Sequence, residues 1–320
     1  MAPDRRRQRT GDAAVTKTPY DVLGLGCVTV DDFLFVTTFP GPDDKTRVLR
    51  SERQCGGLAG TALVAAARLG ARCAFAGLLG VDDTLSQIVA ANFAREGVDI
   101  APAVRRTDAR PIHSTIIVGS GGATRNIFFE VAGRVGADDD LPDAATIRAA
   151  RVLFVDHYGI AGNLRAIRIA REAGIPVVAD LERDEDPRFP ELLAAVDHPV
   201  LSEKFALRVT GAVDAAEAVR RLWRPDRQAV VVTGGEAGCW YTDDGAAIHH
   251  QPAFPVEVVD TTGCGDVFHG AYAAALARGE TLAVRVRFAS AAAAIKATRP
   301  GGQQGIPDRA AVEAFLKERA

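Results

Sequence analysis

Asp21-Val-Leu-Gly-Leu-Gly-Cys-Val-Thr-Val30 is an apolar run interrupted only by small residues and ending at a glycine turn. It reads as a buried strand that runs into a tight turn. The same kind of run recurs at 152–155, 177–180 and 229–233, with helical segments between. Short, uniformly apolar strands are typical of a parallel sheet covered on both faces. Their alternation with helices predicts an α/β fold, a doubly wound, mostly parallel sheet with helices on both faces. Helices are expected at 61–69 and 85–96, a strand at 74–79, and two long helices at 267–278 and 282–298.

A second set of strands is more polar. Residues 32–39 alternate Phe33, Phe35 and Phe39 against Leu34, Val36 and Thr38. A polar strand follows near 46–53, and 112–118 with 124–131 forms a hairpin around 119–122. These four strands predict a small β-sheet lid formed by about 31–54 and 111–131, woven from two insertions. The expected organisation is a disordered leader at 1–18, one domain at 19–310 and a helical tail at 311–320. The leader holds Arg5-Arg6-Arg7 but no apolar core, so it does not read as a secretory signal.

Composition narrows the function. The 320 residues are 48% hydrophobic and 25% charged, with a net charge of −3, which gives no basic field for nucleic acid. Trp and Tyr are scarce. The most apolar long stretch, 62–80, is interrupted by Arg68 and Arg72, so no membrane partner is expected. The five cysteines are scattered without zinc spacing, and an odd count fits a reducing cytoplasm.

In a doubly wound sheet, ligands sit beyond the carboxyl ends of the strands. The polar residues there are Asp31, Asp32, Asp156, His157, Asp180, Glu182, Ser202, Glu203 and Thr233. The sharpest local pattern is Val259-Asp-Thr-Thr-Gly-Cys-Gly-Asp-Val-Phe-His-Gly270. A glycine-rich turn that opens a helix leaves backbone N–H groups pointing outward, and the helix dipole adds to them. The amides of Gly263, Cys264 and Gly265 then form an anion hole. Asp266 is placed as a general base; alternatively it only caps the helix. Anion hole and base on one turn point to phosphoryl transfer, with Mg²⁺ bridging the phosphates.

Asp260-Thr-Thr-Gly-Cys-Gly-Asp266 resembles the D-T-x-G-A-G-D signature of the PfkB, or ribokinase-like, carbohydrate kinase family. Gln54-Cys-Gly-Gly-Leu-Ala-Gly-Thr-Ala62, leading into Ala65-Ala-Ala-Arg-Leu-Gly70, resembles that family's G-G-x-x-x-N-x-A element and the helix after it. The spacing is most similar to ketohexokinase-like members. The resemblance implies an ATP-dependent kinase acting on a ketohexose, ribose or a modified sugar. It implies that Asp31, Gly56, Gly57 and Thr61 bind the sugar, and that a lid arginine, Arg125, reaches an anionic group on the substrate. Thr233, Gly235 and Gly238 match the nucleotide element, with Thr262 and Gly302 completing it. Asp260, Thr262, Gly301 and Gly305 match a monovalent cation site, so K⁺ activation is implied. A cytoplasmic homodimer through the lid is expected, because the first lid strand is apolar on both faces.

Three positions depart from the family pattern. Thr61 stands for the usual Asn, Leu63 for Ala, and Ser202-Glu-Lys-Phe205 for N-x-x-E. Asp180 and Glu182 are candidates for a water-bridged Mg²⁺ contact, against a reading as solvated loop acids. Histidines 113, 157 and 269 are read as structural, and His249-His250 as an exposed turn pair. The alternatives are a nucleoside kinase stacking a base on Phe33, Phe35 or Phe39, and a silent sugar- or nucleotide-binding regulator. A dehydrogenase is disfavoured, since Thr29 stands where G-x-G-x-x-G needs its third glycine.

Overall fold

The computed structural model describes residues 19–119 and 125–319, with the Arg125 side chain excepted. The expected leader at 1–18 and most of the 119–122 turn lie outside the described residues.

Nine strands among these residues form one sheet. From edge to edge they run His249–Gln251, Cys239–Thr242, Val230–Thr233, His198–Ser202, Val177–Asp180, Ala150–Asp156, Tyr20–Leu25, Cys73–Phe75 and Val98–Asp99. All neighbours are parallel except the two pairings made by Cys239–Thr242. The apolar runs are explained by two-sided burial. Val152 and Phe154 point into one core, Leu153 and Val155 into the other; Val178 and Ala179 divide likewise, as do Val200 and Leu201. Each fully buried side chain of this size contributes roughly 1.5–3 kcal/mol. The first core is covered by helices Leu58–Arg68, Cys264–Ala277 and Leu282–Ala297. The second is covered by Ile160–Glu172, Phe189–Ala195, Glu203–Thr210 and Ala215–Leu222.

The small sheet has the order Arg50–Gly56, Thr29–Val36, Ile112–Gly119, Arg125–Glu130. Its first strand starts at Thr29 and ends at Val36, so the 32–39 boundary moves toward the glycine turn and Phe39 lies outside it, exposed. Its partner runs Arg50–Gly56, not 46–53, because it pairs residue for residue with Thr29–Phe35 and so carries Gly56 into the sheet. The predicted strand at 74–79 is two strands in different sheets, Cys73–Phe75 and Leu78–Gly80. The break falls at Gly77, where a Cβ would press on the Phe75 ring and the Gly26 carbonyl. His249-His250 is no turn. It lies in an edge strand, with His250 stacked on Trp240 and His249 on Tyr241. The last helix, Arg309–Lys317, starts before the expected tail and buries Val312 in the first core.

Candidate active site

The site is built at the carboxyl ends of the strands. Tyr20–Leu25 ends in a turn whose Gly26 leaves no room for a Cβ against Asp156. Asp156, at the end of the neighbouring strand, accepts from the Cys27 amide at 2.6 Å and the Tyr158 amide at 2.8 Å. It therefore ties two strand ends together. Burial holds its carboxyl up at about 7. The sequence marked Asp156 as a strand-end acid but gave no reason for it.

The adjacent aspartates separate by strand alternation. Asp32 turns outward, where Arg53 grips it at 2.6 and 2.8 Å and His113 lies at 2.9 Å. The Arg53 hydrogen bonds hold Asp32 down at about 2. Asp31 turns to the other face. It accepts from Thr29 at 2.9 Å, and a Cβ on Gly56 would fall 2.6 Å from its Oδ2. Burial raises its pKa, against hydrogen bonds from Ser114 and Thr29. Gly57 lies at φ 92°, where a Cβ would fall 2.6 Å from the Cys27 carbonyl oxygen, and opens the Leu58–Arg68 helix. No other residue type takes that backbone at low cost.

Thr61 lies in the helix that follows. It is 2% exposed, and its hydroxyl accepts from Gln303 Nε2 at 3.4 Å. It supports the 300–306 loop. Arg125 opens the fourth strand of the small sheet, but its side chain lies outside the described residues.

Gly263, in the left-handed region at φ 73°, begins the Cys264–Ala277 helix, and no side chain caps it. A Cβ on Gly265 would meet nothing within 4 Å, so the helix end is open there. The three expected anion-hole amides differ: that of Cys264 donates back to the Thr261 carbonyl at 3.2 Å. His269, one turn on, sets its ring nitrogens 2.7 Å from the Gly265 carbonyl and 2.8 Å from that of Val200. It holds the first turn onto the sheet, and burial lowers its pKa.

Asp266 is buried on that first turn. Its pKa is raised well above the carboxylate range by burial, then by the charges of Asp180, Glu182, Asp156 and Asp31. Asp180 is raised in the same way by burial, then by Glu182 and Asp156, and its Oδ2 lies 3.3 Å from His269. Asp180 is thus no solvated loop acid. The acids from four segments share one field.

Asp260 sits at the base of the turn. It accepts from the Thr262 amide and, across the molecule, from the Gly301 amide, both at 2.8 Å. Burial opposes its charge, but these hydrogen bonds and Lys296 hold its pKa below the usual range. The Gly302 amide donates to Gln54 at 3.3 Å. The Gln303 and Ile306 carbonyls accept from Arg68, and Asn92 donates to the Gln303 side chain at 2.9 Å. Gly305 packs on Arg299 and the Lys296 carbonyl. Gln54, Arg68, Asn92, Gln303 and Lys296 were given no role in the sequence; Gln54 and Arg68 stand in the motif around the glycine pair and Gln303 among the glycines at 301–305, whereas no motif pointed to Asn92 or Lys296. Thr233 ends its strand, and the turn after it places Gly235 at φ 60° with open space around it and Gly238 against the Gln251 carbonyl. Glu203 reaches this turn, with Oε2 3.3 Å from where a Gly234 Cβ would lie.

A profile of the pfkB family carbohydrate kinases matches residues 23–309. The chain belongs to this family. It is 30% identical to fructokinase-1 of Zea mays over 293 residues, covering 82% of this chain and 88% of that one. It is 26% identical to the ribokinase of Haemophilus influenzae, over 92% and 97%. Among solved structures, ribokinase from Thermotoga maritima superposes with a TM-score of 0.80 at 26% identity, over 93% of this chain and 99% of that one. Arabidopsis thaliana ribokinase, solved with ribose and ATP, shares the fold at TM-score 0.81 and 24% identity, over 93% and 99%. The kinase is therefore a phosphotransferase acting on a sugar hydroxyl. Among its described residues no helix is long and apolar enough to cross a membrane.

Proposed function

We propose that the kinase moves the γ-phosphoryl group of ATP to a hydroxyl of a ketohexose such as fructose, or of ribose, with Asp266 as the general base. The observation that carries this is a buried carboxyl, its pKa raised well above the carboxylate range by burial and then by four neighbouring acids, on the first turn of a helix that no side chain caps. A base of raised pKa takes a hydroxyl proton efficiently near neutral pH. Asp31, beside Gly56 on the same field, accepts sugar hydroxyls and holds the attacking one toward Asp266. The amides of Gly263 and Gly265 and the helix dipole receive charge on the transferred group. The 233–238 turn and the 300–302 loop provide backbone for the nucleotide.

The shared acidic field fits a divalent cation, which would offset it. No group of three or more His, Cys, Asp or Glu among the described residues is set to hold a metal. That suits Mg²⁺, which takes one or two carboxylates and otherwise phosphates and water. Asp180 and Glu182 would supply the protein side, and bound magnesium would neutralise phosphate charge. A homodimer through the small sheet is part of the proposal: Ile127, Phe128 and Phe129 on its edge strand are all about half exposed. A reducing cytoplasmic setting is part of the proposal, because an odd count of five scattered cysteines fits one.

ADP release from ATP and Mg²⁺ over fructose, ribose, ketohexose phosphates, acidic sugars and nucleosides tests the reading. Turnover on a free ketose or pentose is expected. Turnover confined to a nucleoside would replace the sugar assignment.

A further inference from the structure

The family resemblance implies a monovalent metal ion at the Asp260 turn, with Thr262, Gly301 and Gly305. The chain's own residues do not fit one. Lys296, on the last turn of the Leu282–Ala297 helix, has 0% of its surface exposed. Its Nζ donates to the Asp260 main-chain oxygen at 2.7 Å. Both carboxylate oxygens of Asp260 already accept from amides, those of Thr262 and Gly301. A lysine ammonium is a compact point charge that seeks the same oxygens as a potassium ion. Residues 296–305 hold Lys296 and Arg299 and no acid, so a second cation at Asp260 would lie beside the ammonium with no acid added by this stretch. In a partly buried site that repulsion is costly.

We propose that Lys296 is a built-in cation that takes the place of a soluble one, so that the kinase needs no monovalent metal ion. Its surroundings suit the task. The Ala297 carbonyl accepts from the amides of Val259 and Asp260 at 2.8 and 3.1 Å, and the Lys296 carbonyl accepts from Arg299 at 3.0 Å. The carboxyl end of the helix thus wraps around the base of the 260–263 turn. The negative end of the helix dipole and Asp260 are both partners for one positive charge. Held this way, the ammonium fixes the Asp260 peptide while the Asp260 carboxylate fixes Gly301. The anion-hole turn and the 300–302 loop are registered against each other. Lys296 touches no reacting atom; it is a positioning residue.

The proposal rests on reading the 260–266 turn as a phosphoryl-transfer site, so its first test does not use turnover. The full chain is melted, and its ATP affinity measured by calorimetry, at one ionic strength in potassium, ammonium and tetramethylammonium chloride. The wild type should give the same midpoint and the same affinity in all three. Lys296→Ala should melt lower and bind ATP more weakly in tetramethylammonium, and regain both with potassium or ammonium, which fit the vacated space. Lys296→Met, which refills that space with apolar atoms, should gain nothing from either ion. On the sugar that is turned over, wild-type kcat should not depend on potassium. That of Lys296→Ala should fall about tenfold in tetramethylammonium, short of the about 10²–10³-fold loss for a donor on the reacting atoms, and recover with potassium. Selective stabilisation or activation of the wild type by potassium overturns the proposal, whether or not the alanine variant folds. So does a Lys296→Ala protein that matches the wild type in tetramethylammonium. Absence of turnover on any sugar would sink the sugar-kinase reading, while the melting and ATP-binding results would still decide on Lys296.

Discussion

Asp266→Asn removes one negative charge from a buried field shared with Asp31, Asp156, Asp180 and Glu182. Turnover should fall about 10²–10⁴-fold, the usual worth of a general base. Stability should move the other way. A carboxyl whose pKa is raised by folding binds its proton more tightly in the folded chain than in the unfolded one. Stability is therefore lost as pH rises through the raised value and regained on acidification. Asp156, at about 7, places its own part of that window at and below neutrality, and the raised Asp180 and Asp266 act in the same direction. Lowering the pH from about 8.5 to about 7 should raise the apo melting temperature. Below the ordinary histidine value of 6.5 the gain is opposed, because His157 and His198 are held down at about 4 and about 3 and take protons only on unfolding. Asp266→Asn should melt higher than the wild type at pH 8.5 by calorimetry, with the gap narrowing toward pH 7. A variant that melts lower throughout would place the repulsion elsewhere.

The two motif-bearing helices, Leu58–Arg68 and Cys264–Ala277, meet at Gly270, where a Cβ would collide with the Ala62 carbonyl. Gly270→Ala should push them apart at a cost of about 1–3 kcal/mol. That would show as a lower urea midpoint with an unchanged slope. Elements of this kind were the most legible in the sequence. The strands of the main sheet are apolar on both faces, so Val152 to Val155 could hardly be anything else. The small sheet was less so, because its residues answer to register and to the site as well as to burial. Arg50–Gly56 is polar along most of its length, and only its pairing with Thr29–Phe35 fixes where it begins. The Asp266 turn was legible because glycines and an acid at that spacing have few other uses. Lys296 was not. A lysine at the end of an alanine-rich helix ordinarily reads as a solvated cap. Its ammonium is held by the Asp260 turn, 36 residues earlier in the chain, which no local pattern records.

On the scale of the whole molecule, the small sheet presents Ile127 and Phe129 on the face that also bears Asp31, Phe33 and Ser114. Phe128 points the other way, and all three are exposed in the single chain. If a second copy covers this edge, the cover lies next to the sugar corner. Replacing both Ile127 and Phe129 by aspartate should turn the proposed dimer into a monomer by size-exclusion light scattering and raise KM for the sugar more than KM for ATP. A wild type that runs as a monomer at micromolar concentration would remove the dimer from the proposal.

The 300–306 loop is stitched by Gln54, Thr61 and Arg68 to the elements that flank the glycine pair, by Asn92 to the Thr84–Glu96 helix, and by Asp260 to the turn that carries the proposed base. On the proposed assignment, the sugar and the nucleotide are therefore read by surfaces that share a seam. A lineage of such enzymes is not at liberty to exchange its sugar by editing one corner alone. A change at the glycine pair is felt where the nucleotide lies, and new specificity has to arrive as a correlated set of replacements along that seam.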